Sequence, residues 1–223
     1  MKNKYLKVAK ISEAKFRVLV DCFSEDIAAT QAARLSRVNR NTAQRIFTLL
    51  RARIVSLAIH ENSPFAGEVE VDESYFGARR VRGKRGRGAA GKTPVIGLRK
   101  RDGKVFVEIV KDCSRKELMP VIKGQVMEDS TVYTDGWKAY DSLVREGYKH
   151  HRVHHHKDEF ARGRNHVNGI ESFWSYVKFR MIKLRGVKRE KFVIHLLESA
   201  WRFNHKQENI YLLLLKELRE NPL

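Results

Sequence analysis

Residues 61–67, ENSPFAG, break a helical sequence with Pro64 and Gly67, and directly beyond them EVEVDESYF alternates polar and apolar residues in the manner of a strand. That change of period from 3.6 to 2 excludes a pure helical bundle and sets a boundary, giving a helical region over 1–62 and a second domain over 63–223. Further β-prone runs follow. VIGLRK and KVFVEIV flank the turn Arg101-Asp102-Gly103, STVYT ends directly at Asp135, and a short strand is expected near Val153. KELMPVIKGQV reads as a helix despite Pro120, a second helix is expected from Gly136-Trp137 to about Val144, and a long one begins around Val167. The tail, 190–219, gives two more helical segments with core-like Phe192, Leu196, Leu197, Trp201 and Leu212 to Leu215. The pattern is that of an α/β fold with a mixed sheet and a helical C-terminus.

Upstream of the break, residues 12–58 are helical, with Phe16, Val18, Leu19 and Val20 as an apolar cluster and Ser24-Glu25-Asp26 as the expected cap of the next helix. In ATQAARLSRVNRNTAQRIFTLLRARI, Ala32, Leu35, Val38 and Ile46 are placed to pack a short helix on a longer one, with Ser36, Arg37 and Asn39 at the turn and cap. This is the pattern of a helix-turn-helix. Its second helix would present Arg40, Asn41, Gln44, Arg45 and Thr48, with Arg37 at the turn, to base edges or phosphates. A solvated polar face is the competing reading.

Charge points the same way. The chain has 45 Lys and Arg against 26 Asp and Glu, a formal net charge of +19, which implies a polyanionic partner, with DNA favoured over a membrane surface. The segment 79–92, RRVRGKRGRGAAGK, holds Arg79, Arg80, Arg82, Lys84, Arg85, Arg87 and Lys92 among glycines and without an acid, a composition suited to tracking phosphates rather than to packing a core. Cys22 and Cys113 are too few for a zinc ribbon or disulfide framework and read as packing residues in a reducing interior. No signal sequence or membrane span is evident, so the expected location is the cytoplasm, at the nucleoid.

Three carboxylates carry the chemistry. Asp72 lies within an apolar strand pattern, where a buried carboxylate needs a partner or a metal, while Glu73 points to the opposite face. Asp135 ends a strand, where side chains open into the crevice at the sheet edge. Glu171 shares one polar helical stripe with Asn168, Ser175 and Lys178, backed by Ile170, Phe173, Trp174 and Val177. Converging, these carboxylates would hold two Mg²⁺ (or Mn²⁺) ions roughly 3.5–4 Å apart and support phosphodiester chemistry.

VDESYFG, the basic Gly-rich loop, TDGWKAY and HVNGIESFWSYVK together resemble bacterial insertion-sequence transposases related to the eukaryotic Merlin transposons, over residues 12 to about 205. The resemblance implies an RNase H-like core with a DDE triad of Asp72, Asp135 and Glu171 as catalytic metal ligands, and Lys178 as a basic residue that places DNA. Some relatives carry Asn at the third position, which leaves Asn168 as a rival to Glu171, although a carboxylate binds Mg²⁺ better. Many relatives begin with a cysteine zinc ribbon that is absent here, which shifts recognition of the element ends to the N-terminal helices. The implied activity is metal-dependent cleavage at terminal inverted repeats followed by strand transfer into target DNA, by a homodimer or larger assembly.

Two alternatives keep parts of this reading: an RNase H-like nuclease or resolvase that cleaves without joining, and a transposase-derived regulator that binds DNA without catalysis. A tyrosine recombinase would need a Tyr nucleophile with an Arg and His constellation, and no Tyr is singled out. The five histidines of HHRVHHHK are split between faces by strand geometry and do not read as a metal site, though His154 or His166 could reach a phosphate. Trp137 and Trp174 read as packing residues.

Overall fold

The break at 61–67 separates two folding units because Pro64 and Gly67 end the helical hydrogen-bond ladder, Gly67 at φ +92°. The computed structural model describes residues 3–7, 10–77, 92–101, 103–153, 167–184 and 187–223. In chain order the elements are α1 (Glu13–Ser24), α2 (Ala29–Ser36), α3 (Arg40–His60), β1 (Glu68–Phe76), β2 (Thr93–Lys100), β3 (Val105–Ile109), α4 (Arg115–Gln125), β4 (Thr131–Asp135), β5 (Lys149–Val153), α5 (Asn168–Lys183), α6 (Arg189–Asn204) and α7 (Ile210–Glu220). One compact unit comprises Met1–His60 with His205–Leu223, the other Glu61–Asn204.

In the first unit Phe16, Leu19, Phe23, Ala32, Ala43, Ile46, Phe47, Leu50 and Ile54 are buried together, with Phe23 and Phe47 edge to face at 5.1 Å. Leu35 is 62% exposed rather than packed, because the short helix turns Ala32, Ala33 and Ser36 inward, and the buried Ser36 hydroxyl donates to the Ala32 carbonyl at 2.6 Å. Arg37 ends α2 in the left-handed region at φ 51°, the conformation a glycine would otherwise supply, and Asn39 caps α3 by accepting from the Asn41 amide. Ser24-Glu25-Asp26 does not cap α2 as expected. It closes α1, with Ser24 bonded back to Asp21 and Asp26 at φ 56°, and α2 begins behind Ala28 without a side-chain cap. The unit also takes in α7, although a cut at 62 groups that helix with the second domain: Leu214 and Leu218 are fully buried, α7 packs on α1, and Arg53 pairs with Glu217 at 2.7 Å.

In the second unit the five strands run in the order β3-β2-β1-β4-β5. β2 is antiparallel to β1 and β3, while β4 is parallel to β1 and β5 parallel to β4, so β2 alone opposes the rest. With helices on both faces this is the RNase H-like arrangement. Strand alternation separates two cores. Val69, Val71, Ile96, Leu98 and Val132 point to one face with Leu118, Ile122 and Tyr140, and Phe76, Val95, Val107 and Tyr133 point to the other with Ile170, Phe173, Trp174 and Leu196. Gly136-Trp137 does not start an α-helix. The segment forms two short 3-10 turns, Lys138–Tyr140 and Leu143–Glu146, ended by Gly147 in the left-handed region. Among the described residues no helix is long and apolar enough to cross a membrane.

Candidate active site

Glu68 pairs with Thr131 across the parallel β1/β4 ladder, and Asp72 precedes Asp135 by the same 63 residues. The ladder ends at Glu70 and Tyr133, so Asp72 and Asp135 each stand two residues beyond its last pair, on the same face of their strands as those two residues. That face is the one covered by α5. Burial pushes the Asp72 carboxyl up from 3.8 to about 6; the Glu73 amide pulls it down, the charges of Asp135 and Glu171 push it up, and the Trp174 indole N–H pulls it down. The three carboxylates are therefore electrostatic neighbours. Asp135 also accepts from the Trp137 amide at 3.0 Å, which fixes its side chain over the turn that follows β4.

Asn168, Glu171, Ser175 and Lys178 lie on the exposed side of α5, while Ile170, Phe173, Trp174 and Val177 are buried. Glu171 thus faces outward from the core on α5, the helix that covers the face of the central strand β1 carrying Asp72. Among the described residues no group of three or more His, Cys, Asp and Glu side chains stands at metal-ligand spacing. The candidate donors are nonetheless hard oxygen ligands, and Asp72 resists ionisation chiefly through its burial, a penalty that a divalent cation relieves.

Glu73 points to the opposite face, where the Tyr140 hydroxyl donates to it at 2.5 Å. Burial, then the Glu73 charge, pushes Tyr140 well above its ordinary value, so it stays a hydrogen-bond donor. Trp174 is 4% exposed and packs over Gly97, the residue paired with Asp72 on β2; a Cβ on Gly97 would fall 2.5 Å from the indole ring. Its buried N–H makes no hydrogen bond of full geometry, yet it lies close enough to lower the Asp72 carboxyl. Trp137, by contrast, is 41% exposed, its indole N–H donating to the Cys113 carbonyl at 3.2 Å, because the turn after Asp135 lifts it off the core it was expected to join.

Sequence reasoning missed Glu70. It is fully buried on the α5 face, where its carboxylate accepts from the Ile170 amide at 2.8 Å and pairs with Arg99 and Arg101. The available signal was Glu68 and Glu70 at alternate positions on β1 opposite Arg99 and Arg101 on its neighbour. Further out, Arg180 of α5 bonds Glu198 at 2.7 Å and Ser199 at 2.8 Å, and Arg202 bonds the same Glu198 at 3.1 Å, a buried ionic knot that ties α5 to α6.

Of the DNA-contact candidates, Arg37, Arg40, Asn41, Gln44 and Arg45 are all exposed, the last four along the first part of α3. Lys92 is half-buried before β2, and Lys178 is exposed two turns after Glu171. Arg79, Arg80, Arg82, Lys84, Arg85 and Arg87 lie outside the described residues, as do His154 and His166. His150 and His151 do fall on opposite faces of β5, the first bonded to Thr134 at 2.9 Å and the second stacked on Tyr133.

Residues 64–204 match the ISXO2-like transposase domain. Over 120 residues the chain is 35% identical to an uncharacterized transposase-like protein of Haemophilus influenzae, covering 54% of this chain and 97% of that protein. It is 33% identical over 146 residues to an uncharacterized protein in transposable element ISH50 of Halobacterium salinarum, covering 58% of this chain and 50% of the relative. Among solved structures, the Mos1 strand transfer complex is similar at a TM-score of 0.35 and 11% identity, covering 95% of this chain and 76% of that one.

Proposed function

Because this chain belongs to the ISXO2-like transposase family, we propose that it binds the ends of an insertion element and catalyses metal-dependent DNA cleavage and strand transfer. What supports this reading is that the charges of Asp135 and Glu171 both act on the buried Asp72 carboxyl, all three residues lying within the matched segment. These three carboxylates would hold a pair of Mg²⁺ or Mn²⁺ ions, which when bound acidify the attacking hydroxyl and stabilise the leaving oxygen.

The chain's own groups supply the rest. Lys178, exposed on the same helix face as Glu171, holds a phosphate beside the carboxylates. The α3 residues Arg40, Asn41, Gln44 and Arg45, with Arg37, engage the terminal inverted repeat as a helix-turn-helix, and the basic segment 79–92 tracks the backbone of repeat or target. Cleavage is attack of water on the phosphorus at the element end, which releases a 3′-hydroxyl. Strand transfer is in-line attack of that hydroxyl on a target phosphodiester, with one P–O bond formed as another breaks. Joining two ends in one complex calls for a dimer or larger assembly. The reading places the protein in the cytoplasm, on the nucleoid.

The test is strand transfer with the element's own terminal repeats in Mg²⁺, comparing wild type with Asp72→Asn, Asp135→Asn, Glu171→Gln and Asn168→Ala. Loss of both cleavage and joining is expected for the three carboxylate variants and retention for Asn168→Ala. Retained activity in a carboxylate variant removes that residue from the triad. Cleavage without joining by wild type identifies a nuclease, and binding without cleavage a regulator.

A further inference from the structure

We infer that Glu70 is a positioning residue for the carboxylate site: together with Arg99 and Arg101 it pins the first turn of α5 to β1 and so fixes where Glu171 stands relative to Asp72. The inference rests on the reading of those carboxylates as the reactive centre.

A helix leaves its first amides without intrahelical acceptors, and a Ser, Thr, Asp or Asn at the N-cap normally supplies one. α5 has Val167 at that position and no side-chain cap bond of its own. The acceptor comes instead from 100 residues away, as the fully buried Glu70 carboxylate takes the Ile170 amide at 2.8 Å. A carboxylate at a helix N-terminus also lies favourably in the field of the helix dipole. Burying it would be prohibitive alone, but Arg101 Nε stands 3.4 Å and Arg99 Nη1 3.7 Å from its other oxygen.

Gly169 shows how tightly this latch is fitted. A Cβ there would fall 1.6 Å from Arg99 Nη1 and 2.7 Å from Glu70 Oε2, so the first turn of α5 approaches the two side chains only because residue 169 has none. The latch reaches β4 as well. The Arg101 guanidinium lies 3.7 Å over the ring of Tyr133, whose hydroxyl donates to Glu68 at 2.6 Å. Glu70 is two residues before Asp72, Tyr133 two before Asp135, and Ile170 one before Glu171. One network therefore grips each of the three arms directly behind its carboxylate.

Glu70→Ala, Glu70→Gln and Gly169→Ala in the full chain test this with three readouts: amide hydrogen exchange over 168–173 in metal-free protein, Mn²⁺ affinity by electron paramagnetic resonance, and kcat against KM for cleavage of repeat DNA. Glu70→Ala and Gly169→Ala are expected to speed exchange in that turn selectively, and to lower Mn²⁺ affinity and kcat about 10- to 100-fold with KM for DNA unchanged. Glu70→Gln keeps an acceptor for the Ile170 amide and is expected to recover part of both. Unchanged exchange at 168–173, exchange raised uniformly over Glu61–Asn204, or wild-type Mn²⁺ affinity in Glu70→Ala overturns the inference. If fast exchange appears while Asp72→Asn retains strand transfer, the latch stands as a fold element and it is the reading of the reactive centre that fails.

Discussion

Replacing Asp72 by Asn is expected to abolish strand transfer and, in metal-free protein, to make the Glu61–Asn204 unit more stable. A carboxyl that titrates at about 6 in the fold and near 3.8 in an unfolded chain is harder to ionise in the fold by about 3 kcal/mol. The folded state keeps its proton to higher pH than the unfolded state does. Stability is therefore fully present below about 3.8, falls as pH rises, and has lost the whole amount once pH passes about 6. Asn carries no charge to desolvate, and its carbonyl still accepts from the Glu73 amide, so the gain over wild type should be near zero at pH 4 and about 2–3 kcal/mol at pH 7.5.

Urea unfolding in EDTA at the two pH values measures it, and because Trp137, Trp174 and Trp201 all belong to this unit, tryptophan fluorescence reports on it alone. Adding Mg²⁺ at about 100 times its Kd should stabilise wild type by about 2.7 kcal/mol and leave Asp72→Asn unmoved. An Asp72→Asn protein that is less stable than wild type at pH 7.5, or whose advantage is the same at both pH values, refutes the reasoning.

Glu198→Ala leaves Arg180 and Arg202 buried without their shared carboxylate and should cost about 3–5 kcal/mol in the same urea assay. Gly97→Ala places a methyl 2.5 Å from the Trp174 ring and should cost about 1–3 kcal/mol while shifting the near-ultraviolet dichroism of that indole. Arg45→Ala should weaken binding to repeat DNA in fluorescence anisotropy; if Arg45 meets a phosphate, the slope of log affinity against log salt becomes shallower by about 1 and the loss is equal on unrelated DNA.

The strands were legible because their period and their breakers are local. EVEVDESYF is β1 to the residue, and Asp135 ends β4 as its sequence suggested. What sequence could not supply was which polar strand face is covered. Glu70 occupies a position that alternation assigns to solvent, and only the return of α5 from 100 residues downstream buries it. The same long reach explains α7, whose apolar stripe is visible in sequence but whose partner, α1, is not. Leu35 and Trp137 failed for the opposite reason. Apolar character alone says nothing about orientation: α2 turns Ala32, Ala33 and Ser36 inward and leaves Leu35 on its outer side, and the turn after Asp135 leaves Trp137 41% exposed.

The packing that delivers Glu171 is also what makes Asp72 hard to ionise. Gly97 opposite Asp72 leaves room for Trp174 to lie on the sheet, Trp174 seats α5, and α5 both covers Asp72 and brings a second negative charge to it. Glu70 holds the near end of that helix and the Arg180–Glu198 pair its far end, so α5 is tied at both ends over the face that carries Asp72. Asp72 is thus held above the ordinary carboxylate range first by burial and then by its negative neighbours, both of which a divalent cation would offset. Substitutions that loosen α5 should accordingly lower the Asp72 pKa toward the ordinary range while weakening metal affinity, two changes that a merely destabilised fold has no reason to couple.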